Sequence, residues 1–166
     1  SFPTRRSSDL ERSACLHCAE ILLPDQSGFC CAGCEAVYRL LHARGLQKFY
    51  ALRDGRPGPR PVPAADETTR PYAAWDLPSF RQTYAPQNVF KAHLAGIHCL
   101  GCLWLVENLA TQVPGLNWAR LDLGRSVATF ALTPELSLEK LAMELVAFGY
   151  QPTPLADADS EANLAR

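Results

Sequence analysis

The spacing of the cysteines limits what this chain can fold into more than any other feature of its sequence. Seven cysteines form two groups: Cys15, Cys18, Cys30, Cys31 and Cys34, and later Cys99 and Cys102. Thiols two residues apart can reach one metal ion, whereas a secreted disulfide scaffold usually has an even number of cysteines. The sequence shows neither a signal peptide nor an apolar run of about 18 residues. We therefore expect reduced metal thiolates in the cytoplasm.

The length of the chain indicates how many domains it can form, and its net charge indicates which kinds of partner it is not suited to bind. A chain of 166 residues is long enough for two small domains. Its net charge of -1 lacks the basic excess of a nucleic-acid-binding protein, so we expect no nucleic-acid partner.

Composition predicts five segments. Residues 1–10 read SFPTRRSSDL, which is the translation of part of a common short-read sequencing adapter, and we interpret them as an artefact. Residues 14–53 form a cysteine-rich metal-binding domain with two short helices that meet at a glycine. Residues 54–87 form a proline-rich linker, whose later aromatic part can dock on a neighbouring surface. Residues 88–155 form a second domain, and residues 156–166 a tail.

The second domain alternates two kinds of hydrophobic pattern. Period-two runs predict strands, and runs with apolar residues three and four apart predict helices. The order is strand, helix, strand, strand, helix, strand, which is the ferredoxin-like βαββαβ order. The predicted fold class is therefore α+β, with a small zinc-ribbon-like domain followed by a ferredoxin-like domain.

The strongest candidate site is GIHCLGCLWLVENL, residues 96–109. Cys99 stands in the loop before the first helix of this domain, and Cys102 stands at the helix start. The free amides and positive end of a helix N-terminus favour thiolates. Soft thiolates select soft ions, and two ligands suit near-linear Cu(I) better than tetrahedral Zn(II). The predicted cargo of this pair is Cu(I).

This stretch resembles the heavy-metal-associated domain, whose pattern is G-M-x-C-x-x-C followed by a helix with V-E. The matching residues are Gly96, Cys99, Cys102, Val106 and Glu107, and Ile97 replaces the usual methionine. The resemblance also implies that Tyr150 lies near the metal as a polar neighbour. In copper transfer we expect Cys99 to be the exposed first contact and Cys102 the second.

The N-terminal cysteines read CLHC, eleven further residues, then CCAGC. Such a pattern can wrap one tetrahedral ion and so organise a segment with little core of its own. The predicted ligands are Cys15, Cys18, Cys34 and one of the neighbours Cys30 and Cys31, with Cys30 favoured. The ion is Zn(II) or Cu(I), and we expect His17, between the first two ligands, to be exposed.

The hallmarks FCC-x-GC, VY-x-LL and an ending in L-R, within residues 29–53, resemble a domain of bacterial copper-transporting P-type ATPases. In one subgroup, which supplies copper for cbb3-type cytochrome oxidases, this domain precedes the heavy-metal-associated domain. The resemblance implies the N-terminal cytosolic part of such a pump, at the cytosolic face of the bacterial inner membrane. Partners would be a copper chaperone or other domains of the pump, and the chain would meet the membrane only through a part that follows residue 166.

Other functions remain open at this point. We find neither a DKTGT-like phosphorylation sequence nor an intramembrane CPC, so we expect no catalytic activity in this chain itself. The alternatives are a free-standing copper chaperone, a dithiol oxidoreductase, because CxxC at a helix start is also a redox motif, and a zinc-ribbon interaction module.

Overall fold

The computed structural model describes residues 13–53, 55–56, 61 and 69–156. The proposed artefact at residues 1–10, most of the proline-rich first part of the linker, and nearly all of the tail lie outside the described residues. Within the described ranges, no helix is both long and apolar enough to cross a membrane.

A four-stranded antiparallel sheet forms the centre of the second domain, in the order β2-β3-β1-β4. The strands are β1 (Val89–Ala95), β2 (Leu116–Asp122), β3 (Val127–Leu132) and β4 (Gln151–Pro154), and the helices between them are α4 (Leu100–Asn108) and α5 (Leu138–Ala147). This is the ferredoxin-like arrangement, and the predicted fold class is confirmed.

The alternation of β1 explains which face of the sheet carries the core. Phe90, Ala92 and Leu94 are fully buried, while His93 between them is exposed. Successive side chains of a strand point to opposite faces, so one face of β1 packs against the helices. Among the described residues, strand β4 pairs only with β1 and lies at the sheet edge, where its two prolines cost no ladder hydrogen bonds.

The cysteine-rich segment combines a short loop with two helices, α1 (Ala32–Ala43) and α2 (Lys48–Leu52). An isolated bridge joins Ala14 to Ile21 around the first two cysteines. The helices meet at Gly45, as predicted, where φ is +69°, a conformation that glycine adopts without steric cost.

Helices α1 and α2 do not stand apart from the ferredoxin-like domain. The buried side chains Val37 and Leu41 of α1, Phe49 of α2, and Leu46 between the two helices belong to the same hydrophobic core as the sheet. Helix α2 packs directly on α4. The two predicted domains are therefore packed against each other through one continuous core.

The aromatic part of the predicted linker is folded as well. It forms a 3-10 turn (Ala73–Asp76), helix α3 (Pro78–Tyr84) and a second 3-10 turn (Pro86–Asn88). Trp75 stacks on Phe80 and contacts Phe90 of β1, with ring centroids 5.3 and 5.6 Å apart. The Asp76 carboxylate accepts hydrogen bonds from the backbone N–H of Leu138 and from the Ser137 hydroxyl at the start of α5. The exact domain boundaries stay a prediction.

Candidate metal centres

Four N-terminal sulfur atoms lie close together. The Sγ atoms of Cys15, Cys18, Cys30 and Cys34 are all within 4.8 Å of one another. Cys30 lies centrally, with its sulfur 3.5 Å from that of Cys18 and 3.5 Å from that of Cys34. A tetrahedral ion with metal–sulfur bonds of about 2.3 Å needs sulfurs roughly 3.8 Å apart. The group therefore has the size of a four-thiolate metal site.

Local backbone geometry brings these sulfurs together from both sides. The backbone N–H of Ala19 donates to the Cys15 carbonyl at 2.9 Å, which closes the loop that carries the first two cysteines. The next pair stands at the start of α1, where Cys34 lies in the first helical turn. Cys30 and Cys34 therefore point back towards the loop.

Cys31 takes a different role from its neighbour. It is the N-cap of α1, and its sulfur accepts a hydrogen bond from the Cys34 backbone N–H at 3.4 Å. Its side chain is exposed, whereas Cys30 is partly buried within the cluster. The geometry thus agrees with the choice of Cys30 over Cys31, although ligation by either residue stays a prediction.

The pKa values of the cysteine thiols indicate which kind of ligand this cluster would bind. Burial raises the pKa of Cys15, but hydrogen bonds from backbone N–H groups outweigh it and lower that pKa to about 7. Burial and the neighbouring Cys18 thiol raise the pKa of Cys30 to about 12, and burial also raises the pKa of Cys34. Four thiolates at this spacing repel one another, so a cation is needed to neutralise them. The donor set is that of a soft or borderline metal ion.

His17 corrects one expectation. It was expected to be exposed, and this is wrong, because its side chain is fully buried. A hydrogen bond of 3.0 Å joins its Nδ1 to the Tyr50 hydroxyl, and its ring stacks on Phe49. His17 therefore connects the cysteine loop to α2.

The second sulfur pair lies at the start of α4. Cys99 is the N-cap residue, Cys102 lies in the first turn, and their Sγ atoms are 3.7 Å apart. One ion with metal–sulfur bonds of about 2.3 Å can bridge any two sulfurs less than about 4.6 Å apart. The structure brings this predicted pair together, and the distance suits a shared ion.

The exposure of Cys99 differs from the expectation. We expected Cys99 to be the exposed first contact, but only 5% of it is exposed, so that expectation is wrong. Cys102 is fully buried, and burial raises the pKa of its thiol. The neighbouring His98 is exposed and Leu100 is 62% exposed. The loop therefore has exposed residues, but both of its cysteines are buried.

Tyr150 lies beside this pair, in agreement with what the resemblance implied. Its side chain is fully buried, and burial together with the Cys102 thiol raises its pKa well above the usual value. The hydroxyl forms no hydrogen bond of normal geometry with any residue that the structure describes. It opposes the rise in the pKa of Cys102, because it lies where it can donate to a thiolate. A buried hydroxyl that makes no hydrogen bond of normal geometry, and that lies beside the Cys102 sulfur, is what an anionic metal thiolate can use.

Glu107 of the V-E motif serves the fold. Its carboxylate accepts a hydrogen bond from the Leu121 backbone N–H of β2 at 3.4 Å. Sequence reasoning missed two residues that border the CxxC loop, Phe49 of α2 and Arg53 directly after it. The helical pattern placed Phe49 on an apolar face, but no local signal named the surface that it would cover.

Residues 13–88 match a family model described as "Putative metal-binding domain of cation transport ATPase". This part of the chain is similar to that family. The matched range contains the four-sulfur cluster, α1, α2 and α3.

Two solved structures are similar to part of the chain. One is described as "Crosstalk between Cu(I) and Zn(II) homeostasis", with 21% identity, 40% of this chain and 97% of that chain covered, and a TM-score of 0.38. The other is a copper binding domain from HMA7, a P-type ATPase, with 23% identity, 41% and 93% covered, and a TM-score of 0.39. No curated protein sequence matches the chain. The fold assignment rests on the strand order.

Proposed function

We propose that this chain binds Cu(I) through Cys99 and Cys102 and acts in copper delivery or sensing as the N-terminal cytosolic part of a copper-transporting P-type ATPase. The single observation that carries the proposal is the 3.7 Å separation of these two sulfurs at the start of α4. The family of residues 13–88 supports the assignment to a cation pump.

The ligand chemistry favours Cu(I) as the cargo at this pair. Two thiolates give a soft, low-coordinate site, and no His, Asp or Glu joins them in a group of three or more metal ligands among the described residues. Zn(II) prefers four ligands, so this pair alone leaves it under-coordinated. Cu(I) accepts two thiolates, and the Tyr150 hydroxyl can donate to the bound sulfur.

The N-terminal cluster is proposed as a second metal site, with Cys15, Cys18, Cys30 and Cys34 as ligands to Zn(II) or Cu(I). The hydrophobic cluster around this site is small. Within the described part of the chain, its buried residues are Leu22 and three of these cysteines. A bound ion would supply folding free energy that this core lacks. The ion would hold the loop against α1.

Transfer would proceed by exchange of thiolate ligands between proteins. An incoming thiolate binds the Cu(I) held by Cys99 and Cys102, and one of the original thiolates then leaves. The partners that we propose are a copper chaperone and other domains of the parent ATPase, at the cytosolic face of the bacterial inner membrane.

Anaerobic titration with Cu(I) in the presence of a competing chelator tests the proposal. Wild type is compared with Cys99→Ser/Cys102→Ser and, as a matched control, with Cys31→Ser, which changes an exposed thiol that belongs neither to the four-sulfur cluster nor to the Cys99–Cys102 pair. We expect the double variant to lose one tightly bound Cu(I) and the control to keep it. Unchanged tight stoichiometry in the double variant would remove the assignment.

A further inference from the structure

The CxxC loop is covered on one side by backbone of the cysteine-rich segment. A Cβ atom placed on Gly101, between the two cysteines, would lie 2.8 Å from the Phe49 carbonyl oxygen and 3.2 Å from the Arg53 nitrogen. Both atoms belong to the main chain of α2 or its end, so they cannot turn away as a flexible side chain can. Only a residue without a side chain allows this approach.

The cover continues as side-chain packing. Phe49 is fully buried, and its ring carbon Cδ2 would lie 3.2 Å from the same Cβ. Phe49, Cys99 and Cys102 belong to one buried cluster. The low exposure of both cysteines therefore coincides with the docking of α2 on the start of α4.

A polar contact holds the covering helices at a second place. Arg44, directly after α1, donates to both carboxylate oxygens of Glu144 on α5, at 2.6 and 3.4 Å. Its guanidinium also lies 5.5 Å from the centre of the Phe148 ring. Both side chains of the ion pair are mostly buried, with 28% and 21% exposed. The residues in these contacts, Arg44, Glu144 and Phe148, lie outside α4.

Contacts within the segment link the covering helix to the cysteine cluster. The Arg53 guanidinium donates to the Leu16 carbonyl at 3.1 Å, and Tyr50 is hydrogen-bonded to His17. Leu16 and His17 lie between the first two cysteines of the cluster. Helix α2 is thus fixed between the cluster and the CxxC loop.

We propose that α2 is an intramolecular cover of the Cys99–Cys102 pair, so that a copper-exchange partner reaches the two sulfurs only after α2 is displaced. This inference rests on the proposed function for the identity of the ion at that pair. It adds that exchange requires an opened form of this chain. The rate of exchange is then set by opening of α2 as well as by ligand chemistry.

Alkylation of Cys99 by iodoacetamide, followed by peptide mass spectrometry on the full chain without copper, tests the cover. Each rate is divided by the rate for the same variant in urea, which removes differences in intrinsic reactivity. Gly101→Ala pushes α2 away at the CxxC loop, and its control is Gly124→Ala, where the added Cβ meets only Asp122 at 3.4 Å. Arg44→Ala loosens the helices away from α4, and its control is Arg125→Ala, from an exposed pair on the β2–β3 turn.

We expect slow alkylation of Cys99 in wild type and in both controls, and about tenfold faster alkylation in both Gly101→Ala and Arg44→Ala. Equal rates in all five proteins would overturn the proposal. A rise in Gly101→Ala alone would also overturn it, because it would show a local change in the CxxC loop. Since no copper is present, failure of the cover is distinguishable from failure of Cu(I) binding in the titration above.

Discussion

Replacing Tyr150 by phenylalanine removes one oxygen atom from the interior without changing the packing of the ring. The hydroxyl is fully buried and makes no normal hydrogen bond to any described residue. Leaving such a group without a partner costs about 1–3 kcal/mol, and its contact with the weakly accepting Cys102 sulfur offsets part of that cost. We expect Tyr150→Phe to stabilise the copper-free protein by about 1 kcal/mol. For a chain of this size that raises Tm by roughly 2–4 °C.

Tyr50→Phe is the matched comparison, because the same atom is removed from a tyrosine that has a partner. The Tyr50 hydroxyl is hydrogen-bonded to His17 Nδ1 at 3.0 Å. Losing this bond costs about 0.5–1.5 kcal/mol, so Tm should fall. The two variants are compared by calorimetry and by urea unfolding under reducing, copper-free conditions.

The opposite signs are what the structure predicts. A Tyr150→Phe variant that loses stability as Tyr50→Phe does would mean that the Tyr150 hydroxyl has a strong partner. The interpretation of that hydroxyl as held in reserve for a metal thiolate would then be refuted. A copper-loaded sample adds a second readout, since Tyr150→Phe should gain less stability on Cu(I) binding than wild type.

Three further substitutions test other parts of the structure. Cys30→Ser should weaken metal binding at the N-terminal cluster by about a hundredfold, because a binding free energy of about 10–16 kcal/mol for a four-thiolate site amounts to roughly 3 kcal/mol per ligand. Cys31→Ser should leave metal affinity in competition titrations unchanged. Equal losses of affinity in the two variants would contradict the geometry. Arg53→Ala should lower the free energy of unfolding by about 1–2 kcal/mol, as measured by urea unfolding. The substitution removes a mostly buried guanidinium that donates to the Leu16 carbonyl and lies 4.9 Å from the centre of the Tyr50 ring. Asp76→Ala should lower the free energy of unfolding by about 1 kcal/mol, because the hydrogen bonds of Asp76 at the start of α5 are lost. Asp122→Ala on the exposed turn should lower it by less than half of that amount. Similar decreases in both variants would mean that the Asp76 contact contributes little to stability.

Local patterns were enough to predict most of the ferredoxin-like domain. The alternation of Phe90, Ala92 and Leu94 gave the buried face of β1, because side chains of a strand alternate between faces. Helix spacing predicted α4 and α5, and Gly45 marked the junction of α1 and α2. The approach of Cys99 to Cys102 followed from the same logic, since a helix start holds two such residues near one another.

Other features depended on contacts that no local pattern contains. The irregular aromatics around Trp75 predicted a docking segment but not its helices, because their folding depends on the sheet beneath them. His17 was expected to be exposed on the average behaviour of histidine, yet Tyr50 and Phe49 enclose it. The exposure of Cys99 was misjudged for the same reason, since α2, which packs on α4, comes from the other predicted domain.

The sequence by itself determined the secondary structure of residues 88–155, the order of its elements and the two groups of thiols, because hydrophobic period and ligand spacing act over a few residues. Only the tertiary structure decided that Cys30 joins the cluster while Cys31 caps α1, and that α2 lies over Gly101. These outcomes depend on the burial of apolar surface between segments distant in the chain, which is non-directional and leaves no periodic signature in the sequence.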